Sequence, residues 1–383
     1  MEINPFIRNI IIGILCFFSM MLGMSITINT FRLIFVHNSK FSYYFKISTY
    51  PTIAIFLITI PCIYLSPSIF KKLYYYLAIL LSWYMYNLWG FIFYWLINLI
   101  VDLPTAVNFT LFILIGTVIT IYGIINDRLI KFDKKKIYCN KMPNGEIINI
   151  LHLSDLHLGA CYDENYVKML VDSILNYIKE KEIEIDFAVI TGDLIDGNIR
   201  LTKEMLEPFS QLNFPIYYVA GNHEDYTWKK EAFHLIENNS NLLHIPNNVV
   251  NYKDKINIIG VDYHFNSAIS FNNLKQRLEE INNNLPIIFL YHTPLIGINN
   301  LKQYNIFLFL CGHIHGGQMF PFSLIGKCLR NKFIFEGLYT NEENESGDDL
   351  NYIYCCSGTG TQGPCTRTFI TPNIGVLTIE GKS

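Results

Sequence analysis

Residues 147–157 read IINILHLSDLH, a short apolar stretch that ends in two side chains able to bind a metal. The apolar run Ile147–Leu153 predicts a buried β-strand, and Asp155 and His157 follow it directly. Side chains two residues apart on an extended segment point the same way, so both can face one ion. Taken alone, the segment is better explained by a capped turn after a strand.

Four more clusters of this kind lie further along the chain, each next to a predicted strand end. They are Gly192-Asp193-Leu194-Ile195-Asp196, Gly221-Asn222-His223-Glu224, His292, and Gly312-His313-Ile314-His315-Gly316-Gly317-Gln318. Carboxylate oxygen and imidazole nitrogen suit Mn, Fe, Zn or Co. A lone histidine is ordinarily structural, but the five clusters together favour a metal centre.

The hydrophobic pattern between the clusters predicts alternating strands and helices. Strands are predicted at 185–190, 216–219, 256–259, 287–291 and 307–310, and helices at 164–181, 203–212 and about 272–282. Several strands are apolar on both faces, as in a sheet covered by helices. The clusters follow the strands, where open α/β sheets place their sites. We therefore predict an α/β (α+β) catalytic domain over 147–383, with a β-rich tail at about 332–380.

The first third of the chain has a different composition. Asp, Glu, Lys and Arg are absent between Arg8 and Arg32, Lys46 and Lys71, Lys72 and Asp102, and Asp102 and Asp127. A helix needs roughly 20 apolar residues to cross a bilayer. We therefore predict a transmembrane domain at 1–127, with about four helices near 9–30, 48–69, 73–101 and 104–126. A signal peptide is the alternative for the first run. The basic segment 128–146 is predicted to be a juxtamembrane linker.

Charge and cysteine usage bear on location and partners. The net charge of −3 offers no basic excess for a nucleic-acid polymer. Basic residues are more numerous on the side of the predicted spans that carries 128–146, which places the catalytic domain on the cytoplasmic face of a multi-pass membrane protein. Loss of one span would reverse this orientation. The nine cysteines show no repeated spacing, which argues against a disulfide framework, predicts buried thiols and is compatible with a reducing compartment.

Taken in order, the clusters resemble the signature of the calcineurin-like metallophosphoesterase superfamily. That signature runs D-x-H, G-D-x-x-D, G-N-H-[DE], a lone H and G-H-x-H, and the match covers about 147–383. Gly316-Gly317-Gln318 and the stretch from Ser357 to Arg367 are similar to the membrane-anchored branch of YkuE/YaeI-like phosphodiesterases. The resemblance implies a four-layer αββα sandwich and two divalent metal ions, with Mn favoured over Fe, Zn or Co.

The resemblance also implies roles for individual residues. The first metal would be held by Asp155, His157, Asp193 and His315, and Asp193 would bridge to a second metal held by Asn222, His292 and His313. His223 would stay off the metals and face the phosphate or leaving group of the substrate. Asp196 and Glu224 are candidate partners of the ligands, and Gln318 and Arg367 are candidate substrate contacts.

These roles predict a membrane-bound, metal-dependent phosphoesterase. The bond cleaved would be a phosphoester, phosphodiester or diphosphate, attacked by a metal-bridging hydroxide. The predicted spans make a lipid-linked substrate one option, and the bilayer is the second expected partner. Two alternatives stay open: a non-catalytic metal-binding regulatory or scaffold membrane protein, and a transporter or channel with a regulatory soluble domain.

Overall fold

The computed structural model describes residues 67–98, 100–101, 105–197, 199–225, 229–239, 241–281, 284–294, 304–329, 333–340 and 351–382. The chain divides into two compact units, Met1–Tyr74 and Tyr75–Ser383. The predicted span near 9–30 and nearly all of the one near 48–69 lie outside the described residues.

Two long helices precede the sheets, α1 (Pro67–Asn98) and α2 (Thr105–Asp127). They overlap the third and fourth predicted spans. Within the described residues, however, no helix combines the length and the apolarity that crossing a bilayer requires. The predicted bundle of four transmembrane helices is therefore not confirmed.

In the part of the chain that the structure describes, twelve strands form two six-stranded sheets. They are β1 (Lys131–Cys139), β2 (Ile147–Leu153), β3 (Phe187–Thr191), β4 (Ile216–Val219), β5 (Leu242–His244), β6 (Asn248–Tyr252), β7 (Ile256–Gly260), β8 (Ile287–Leu290), β9 (Leu308–Cys311), β10 (Gly337–Thr340), β11 (Tyr352–Cys355) and β12 (Asn373–Gly381). The first sheet has the order β1-β12-β2-β3-β4-β5, and the second β10-β11-β9-β8-β7-β6. Both sheets mix parallel and antiparallel pairs. The prediction of mixed α/β sheets is confirmed.

Shorter helices connect the strands. They are α3 (Glu164–Lys181), α4 (Lys203–Leu206), α5 (Lys229–Glu237), α6 (Ser267–Glu280) and α7 (Phe322–Cys328), with 3-10 turns at Glu207–Gln211, His223–Asp225 and His315–Gly317. The bounds of α3 agree with the prediction because Asp163 caps its first turn and Glu182 ends it in a left-handed conformation. The helix predicted at 203–212 becomes 3-10 after Leu206, where Pro208 lacks an amide hydrogen.

Apolar side chains fill three layers, one between the sheets and one on the outer face of each sheet. Successive residues of β2 show why: Ile150 packs between the sheets, whereas Leu151 packs on the other face with α3. In the second sheet, Phe289 of β8 packs outward together with Leu274 of α6. The resulting core holds the strand ends rigidly, and the loops that leave those ends carry the clusters.

The segment predicted as a basic linker at 128–146 instead contains β1. This strand lies at the edge of the first sheet and pairs in parallel with β12. Ile137 and Cys139 point into the core between the sheets, whereas Lys134 and Lys136 are exposed. Lysines are common on edge strands because they discourage pairing with other chains. A run of lysines therefore does not distinguish an edge strand from a linker.

One cysteine pair departs from the predicted thiols. Cys161 and Cys365 form a disulfide, with Cα atoms 6.6 Å apart. The two residues are 204 positions apart, so no local spacing could reveal the pair. Cys311, Cys355 and Cys356 are buried free thiols, as expected.

Candidate metal centre

The first group of candidate ligands consists of Asp155, His157 and His315, all buried. Asp155 and His157 lie in the loop after β2, and His315 lies in the 3-10 turn after β9. His315 Nε2 is 3.3 Å from Asp155 Oδ1 and 3.1 Å from His157 Nε2. Asp155 and His157, which follow a strand of the first sheet, thus lie next to His315, which follows a strand of the second sheet.

The second group consists of Asp193, His292 and His313, with Asn222 beside it. His292 Nε2 is 3.2 Å from Asp193 Oδ2, 3.1 Å from His313 Nδ1 and 3.0 Å from Asn222 Oδ1. His292 Nδ1 is 2.9 Å from the carbonyl oxygen of Thr191, which fixes the ring so that Nε2 points into the group.

Asp193 also connects the two groups, since its Oδ2 is 3.7 Å from His157 Nε2. The donor atoms within each group of three lie within 4.8 Å of one another. Converging carboxylate oxygens and imidazole nitrogens, mostly buried, are the donors that divalent Mn, Fe, Zn or Co accept. The residues therefore fit two divalent ions, and every residue that the sequence assigned to a ligand role lies in one of the two groups or beside it.

The backbone at this centre is strained. Five of the candidate ligands have positive φ: Asp155 (54°), His157 (49°), Asp193 (49°), His313 (71°) and His315 (52°). Left-handed backbone costs a non-glycine residue about 1–3 kcal/mol and persists where the surrounding fold imposes it. Such clustering is typical of functional sites, because the strain is tolerated to aim the side chains.

Two glycines make room for the carboxylates. A Cβ at Gly221 would lie 2.2 Å from Asp193 Oδ1, and one at Gly312 would lie 2.2 Å from Asp155 Oδ2. Real Cβ atoms do not approach other atoms so closely, so any side chain at either position would displace the carboxylate. The glycines of the sequence clusters are therefore needed for close approach.

The ionisable groups shift one another's pKa values. Burial alone would raise the pKa of Asp155, but the imidazoles of His315, His292 and His157 lower it well below its usual range. Burial alone would lower the pKa of His292, but the Asp193 carboxylate raises it to about 10. The carboxylates are therefore ionised, whereas His292 binds a proton that a metal ion would have to displace.

His223 stands beside the centre, with its Nε2 4.0 Å from Asp193 Oδ2. Its Nδ1 is 2.9 Å from the carbonyl oxygen of Asp196, and its Nε2 is 2.8 Å from the side-chain nitrogen of Gln362. The carboxylate of Asp196 lies 3.2 Å from His157 Nδ1. The sequence analysis missed Gln362, because an exposed glutamine in a loop carries no distinguishing pattern.

Glu224, a candidate partner of the ligands, contacts the backbone amide of Asp193 and not an imidazole. Its buried carboxylate accepts hydrogen bonds from the backbone amides of Asp193, Gly221 and Ile195. Burial and the nearby Asp193 carboxylate raise the pKa of Glu224 to about 7. Glu224 therefore joins the loops after β3 and β4 and fixes the backbone from which Asp193 projects.

Arg367 and Gln318 also differ from their predicted positions as substrate contacts. Arg367 is fully buried, and its guanidinium donates to the carbonyl oxygens of His315, Ser357, Gly358 and Gly360. Gln318 donates to the carbonyl oxygens of Gln362 and Pro364 and accepts from the amide of Gln362. Both side chains hold loops around the centre, and a buried guanidinium with four carbonyl partners cannot reach a phosphate.

Comparison with known proteins agrees with this geometry. Residues 148–317 match the family model described as calcineurin-like phosphoesterase. A protein of Aquifex aeolicus described as an "uncharacterized metallophosphoesterase" is 29% identical over 273 residues, which is 70% of this chain and 98% of that protein. A Helicobacter pylori protein of the same description is 31% identical over 258 residues, 66% of this chain and 65% of that protein.

A relative from Danio rerio is described as a "transmembrane protein with metallophosphoesterase domain". It is 28% identical over 268 residues, which is 66% of this chain and 58% of that protein. The matched region contains both groups of candidate ligands, and the order of the clusters is the order of the resembled signature. The chain contains a calcineurin-like phosphoesterase domain over residues 148–317, and the relatives that share it are described as metallophosphoesterases.

Proposed function

We propose that this protein is a membrane-bound phosphoesterase that uses two divalent metal ions to hydrolyse a phosphoester, phosphodiester or diphosphate bond. The observation that carries the proposal is the pair of ligand groups joined through Asp193, with His223 at their edge. The match to the calcineurin-like phosphoesterase model supports hydrolysis of a phosphoester. Manganese is our favoured ion, as the resemblance implies, and the combined carboxylate and imidazole donors accept it as they accept Fe, Zn or Co.

The candidate residues have separate roles in metal binding and proton donation. Asp155, His157 and His315 would hold one ion, Asn222, His292 and His313 the other, and Asp193 both. When bound, such ions stabilise charge on phosphoryl oxygens and lower the pKa of a water molecule. His223 binds no ion in this scheme. Its Nε2 faces the centre and donates a proton to the leaving oxygen as the phosphorus–oxygen bond breaks, a contribution of about 10²–10⁴-fold.

The test is hydrolysis of bis-p-nitrophenyl phosphate and of a panel of phosphoesters by purified protein loaded with Mn²⁺. Asp193→Asn should lose nearly all turnover and part of the bound metal. Asp172→Asn is the matched control, because Asp172 is exposed on α3, away from the ligand groups. Metal bound at full occupancy without turnover of any substrate would refute the proposed phosphoesterase activity and favour a non-catalytic metal-binding scaffold.

A lipid-linked substrate is supported by exposed apolar side chains on α2, on α7 and at Phe369. Val118, Tyr122 and Ile125 are exposed on α2, and Phe322 is exposed on α7, which follows the turn that carries His315. Phe369, also exposed, contacts Tyr122 with ring centroids 6.4 Å apart. Contiguous exposed apolar surface marks interaction with a membrane or a partner. We propose that this surface lies against the bilayer and that the protein therefore requires detergent for extraction.

The side of the membrane is a further part of the proposal. The distribution of basic residues favours a cytoplasmic catalytic domain. The Cys161–Cys365 disulfide opposes that assignment, because disulfides persist mainly in oxidising compartments. Labelling of Cys328, an exposed thiol, with an impermeant maleimide distinguishes a cytoplasmic catalytic domain from one on the opposite face of the membrane. Labelling only after permeabilisation supports the cytoplasmic face, and labelling of intact cells refutes it.

A further inference from the structure

Asn126 is a buried polar residue in the last turn of α2, a helix made mostly of apolar residues. Its side-chain amide binds the tail loop, residues 366–371, which leads into β12. The nitrogen donates to the carbonyl oxygens of Arg367 (3.1 Å) and Ile370 (2.7 Å), and the oxygen accepts from the hydroxyl of Thr371 (3.2 Å). Both donor hydrogens and the acceptor of the amide are thus used on one loop.

Both helices of the pair α1–α2 contact the tail loop. The carbonyl oxygen of Gly123 in α2 accepts a hydrogen bond from the amide of Arg367 (3.0 Å). A Cβ at Gly123 would lie only 3.1 Å from the Cβ of Thr366, so the absence of a side chain permits this close approach. From α1, the hydroxyl of Ser82 lies 2.9 Å from that of Thr366, and both residues are buried. The two helices therefore fix one side of the loop.

The other side of the tail loop contacts the turn that carries His315. The buried guanidinium of Arg367 donates to the carbonyl oxygen of His315 (3.3 Å), and the amide of Thr368 donates to the carbonyl oxygen of Gln318 (3.0 Å). Arg367 thus binds α2 through its backbone and the ligand turn through its side chain. The tail loop lies between the helix pair and a candidate metal ligand.

The backbone of His315 depends on its surroundings, because its φ of 52° is left-handed. Such a conformation persists in a non-glycine residue only where the fold imposes it. The next residue, Gly316, packs so closely on the tail loop that a Cβ there would lie 2.8 Å from Cγ1 of Ile370. In an interior packed this densely, a shift of one segment displaces its neighbour. The position of the tail loop therefore affects how His315 points at Asp155 and His157.

We propose that Asn126 is a positioning residue for the first metal ion, the one that Asp155, His157, Asp193 and His315 would hold; this inference rests on the two-metal site of the proposed function. The Asn126 amide holds the tail loop in place, and the tail loop holds the turn from which His315 projects. The helix pair is then a working part of the metal centre and not only an anchor for it.

The second ion depends less on the tail loop. It would rely on Asn222 and His292, which follow β4 and β8, and the ring of His292 is held by the carbonyl oxygen of Thr191. A disturbance of the tail loop should therefore weaken the first ion selectively, whereas a general loss of structure should weaken both.

The test compares Asn126→Leu with wild type in Mn²⁺ titrations of the full chain. Leucine has nearly the volume of asparagine and makes none of its hydrogen bonds. We expect the Kd of one ion to rise about tenfold, since loss of a residue that supports a ligand typically costs 10–100-fold in metal affinity. The Kd of the other ion should stay the same. Electron paramagnetic resonance should show a coupled Mn²⁺ pair in wild type and, at the same metal concentration, mostly isolated Mn²⁺ in Asn126→Leu.

Two ligand variants identify the ion that is affected. In a His315→Ala background, where the first ion has already lost a ligand, Asn126→Leu should have no additional effect on Mn²⁺ binding. In a His313→Ala background, which leaves the first ligand group complete, the full tenfold effect of about 1.4 kcal/mol should remain. An undiminished effect in the His315→Ala background would overturn the inference.

Asn241→Leu is the matched control. The Asn241 amide nitrogen also donates to two backbone carbonyl oxygens, those of Phe209 and Leu212. Asn241 directly precedes β5, whereas the ligand clusters follow their strands, so it lies at the opposite end of the sheet. Its substitution should lower stability without changing either Kd. Thr371→Val is a milder variant of the same contact, because it removes one hydrogen bond to Asn126 and should raise the first Kd about threefold.

Each outcome decides one part of the proposal. Equal weakening of both ions in Asn126→Leu would show a general structural role and overturn the inference while leaving the proposed function intact. If Asn126→Leu does not fold, Thr371→Val decides, and an unchanged first Kd overturns the inference. A Mn²⁺ pair in wild type without turnover of any phosphoester overturns only the proposed activity, and a wild-type protein that binds no pair overturns both.

Discussion

Arg367 offers a stringent test of the difference between its predicted and observed roles. The side chain is fully buried and donates to four backbone carbonyl oxygens, which belong to His315, Ser357, Gly358 and Gly360. Arg367→Leu removes all four donors and leaves buried carbonyls without partners. One hydrogen bond to a charged group is worth about 1.5–3 kcal/mol. Because the four share one guanidinium and are not additive, we expect the free energy of unfolding to fall by about 4 kcal/mol or more.

The assay is thermal unfolding of the purified protein, followed by circular dichroism. For a domain of this size, 1 kcal/mol corresponds to about 2–4 °C, so the Tm of Arg367→Leu should drop by about 8–16 °C. Arg200→Leu is the matched control, because Arg200 is exposed, and its Tm should remain close to that of wild type. If Arg367→Leu instead has the same Tm as Arg200→Leu and shows only a raised KM, then Arg367 binds substrate and our assignment of a structural role to it is wrong.

Three further predictions concern the metal centre, the apolar surface and the disulfide. The Asp193 carboxylate raises the pKa of His292 to about 10, so Mn²⁺ must displace a proton from His292 when it binds. The affinity of the protein for Mn²⁺ should therefore increase about tenfold per pH unit between pH 6 and 8. A Kd for Mn²⁺ that does not change with pH in calorimetric titrations contradicts this prediction. Phe322→Ser with Ile325→Ser should reduce hydrolysis of a vesicle-embedded phospholipid several-fold while sparing a soluble ester, and equal effects on both would exclude membrane contact at α7. Cys161→Ser should lower the free energy of unfolding by about 2–4 kcal/mol, measured by urea denaturation without reductant, and an identical midpoint would show that the Cys365 bond does not form.

Much of the fold follows from local pattern. Helix α3 begins and ends where its apolar spacing predicts. Strand β4 agrees residue for residue with the predicted strand at 216–219. In both cases the pattern of burial is repeated within one segment, so it is visible without knowledge of the neighbours. Strand β1 was misassigned because its lysines belong to a sheet edge, and only the pairing with β12 makes that edge apparent.

The types of ligand side chain were readable in advance, since glycine, aspartate and histidine clusters directly follow apolar strands. The roles assigned to those residues remain predictions until an ion is located. Asp196 was named as a candidate partner of a ligand and lies beside His157, whereas the contacts of Glu224 and Gln318 were not readable. Glu224 binds backbone amides of its own loop and of the loop after β3, and Gln318 holds a loop more than forty residues further along the chain.

Residue types and their order along the chain were thus enough to predict the phosphoesterase domain, because its signature consists of carboxylates, imidazoles and glycines in a fixed order. Folding decided everything that depends on distance: that Asp193 lies between both ligand groups, that Arg367 is enclosed by carbonyl oxygens, and that Gln362 faces His223. Such contacts join segments far apart in the chain, and no local periodicity encodes the separation of two atoms in space.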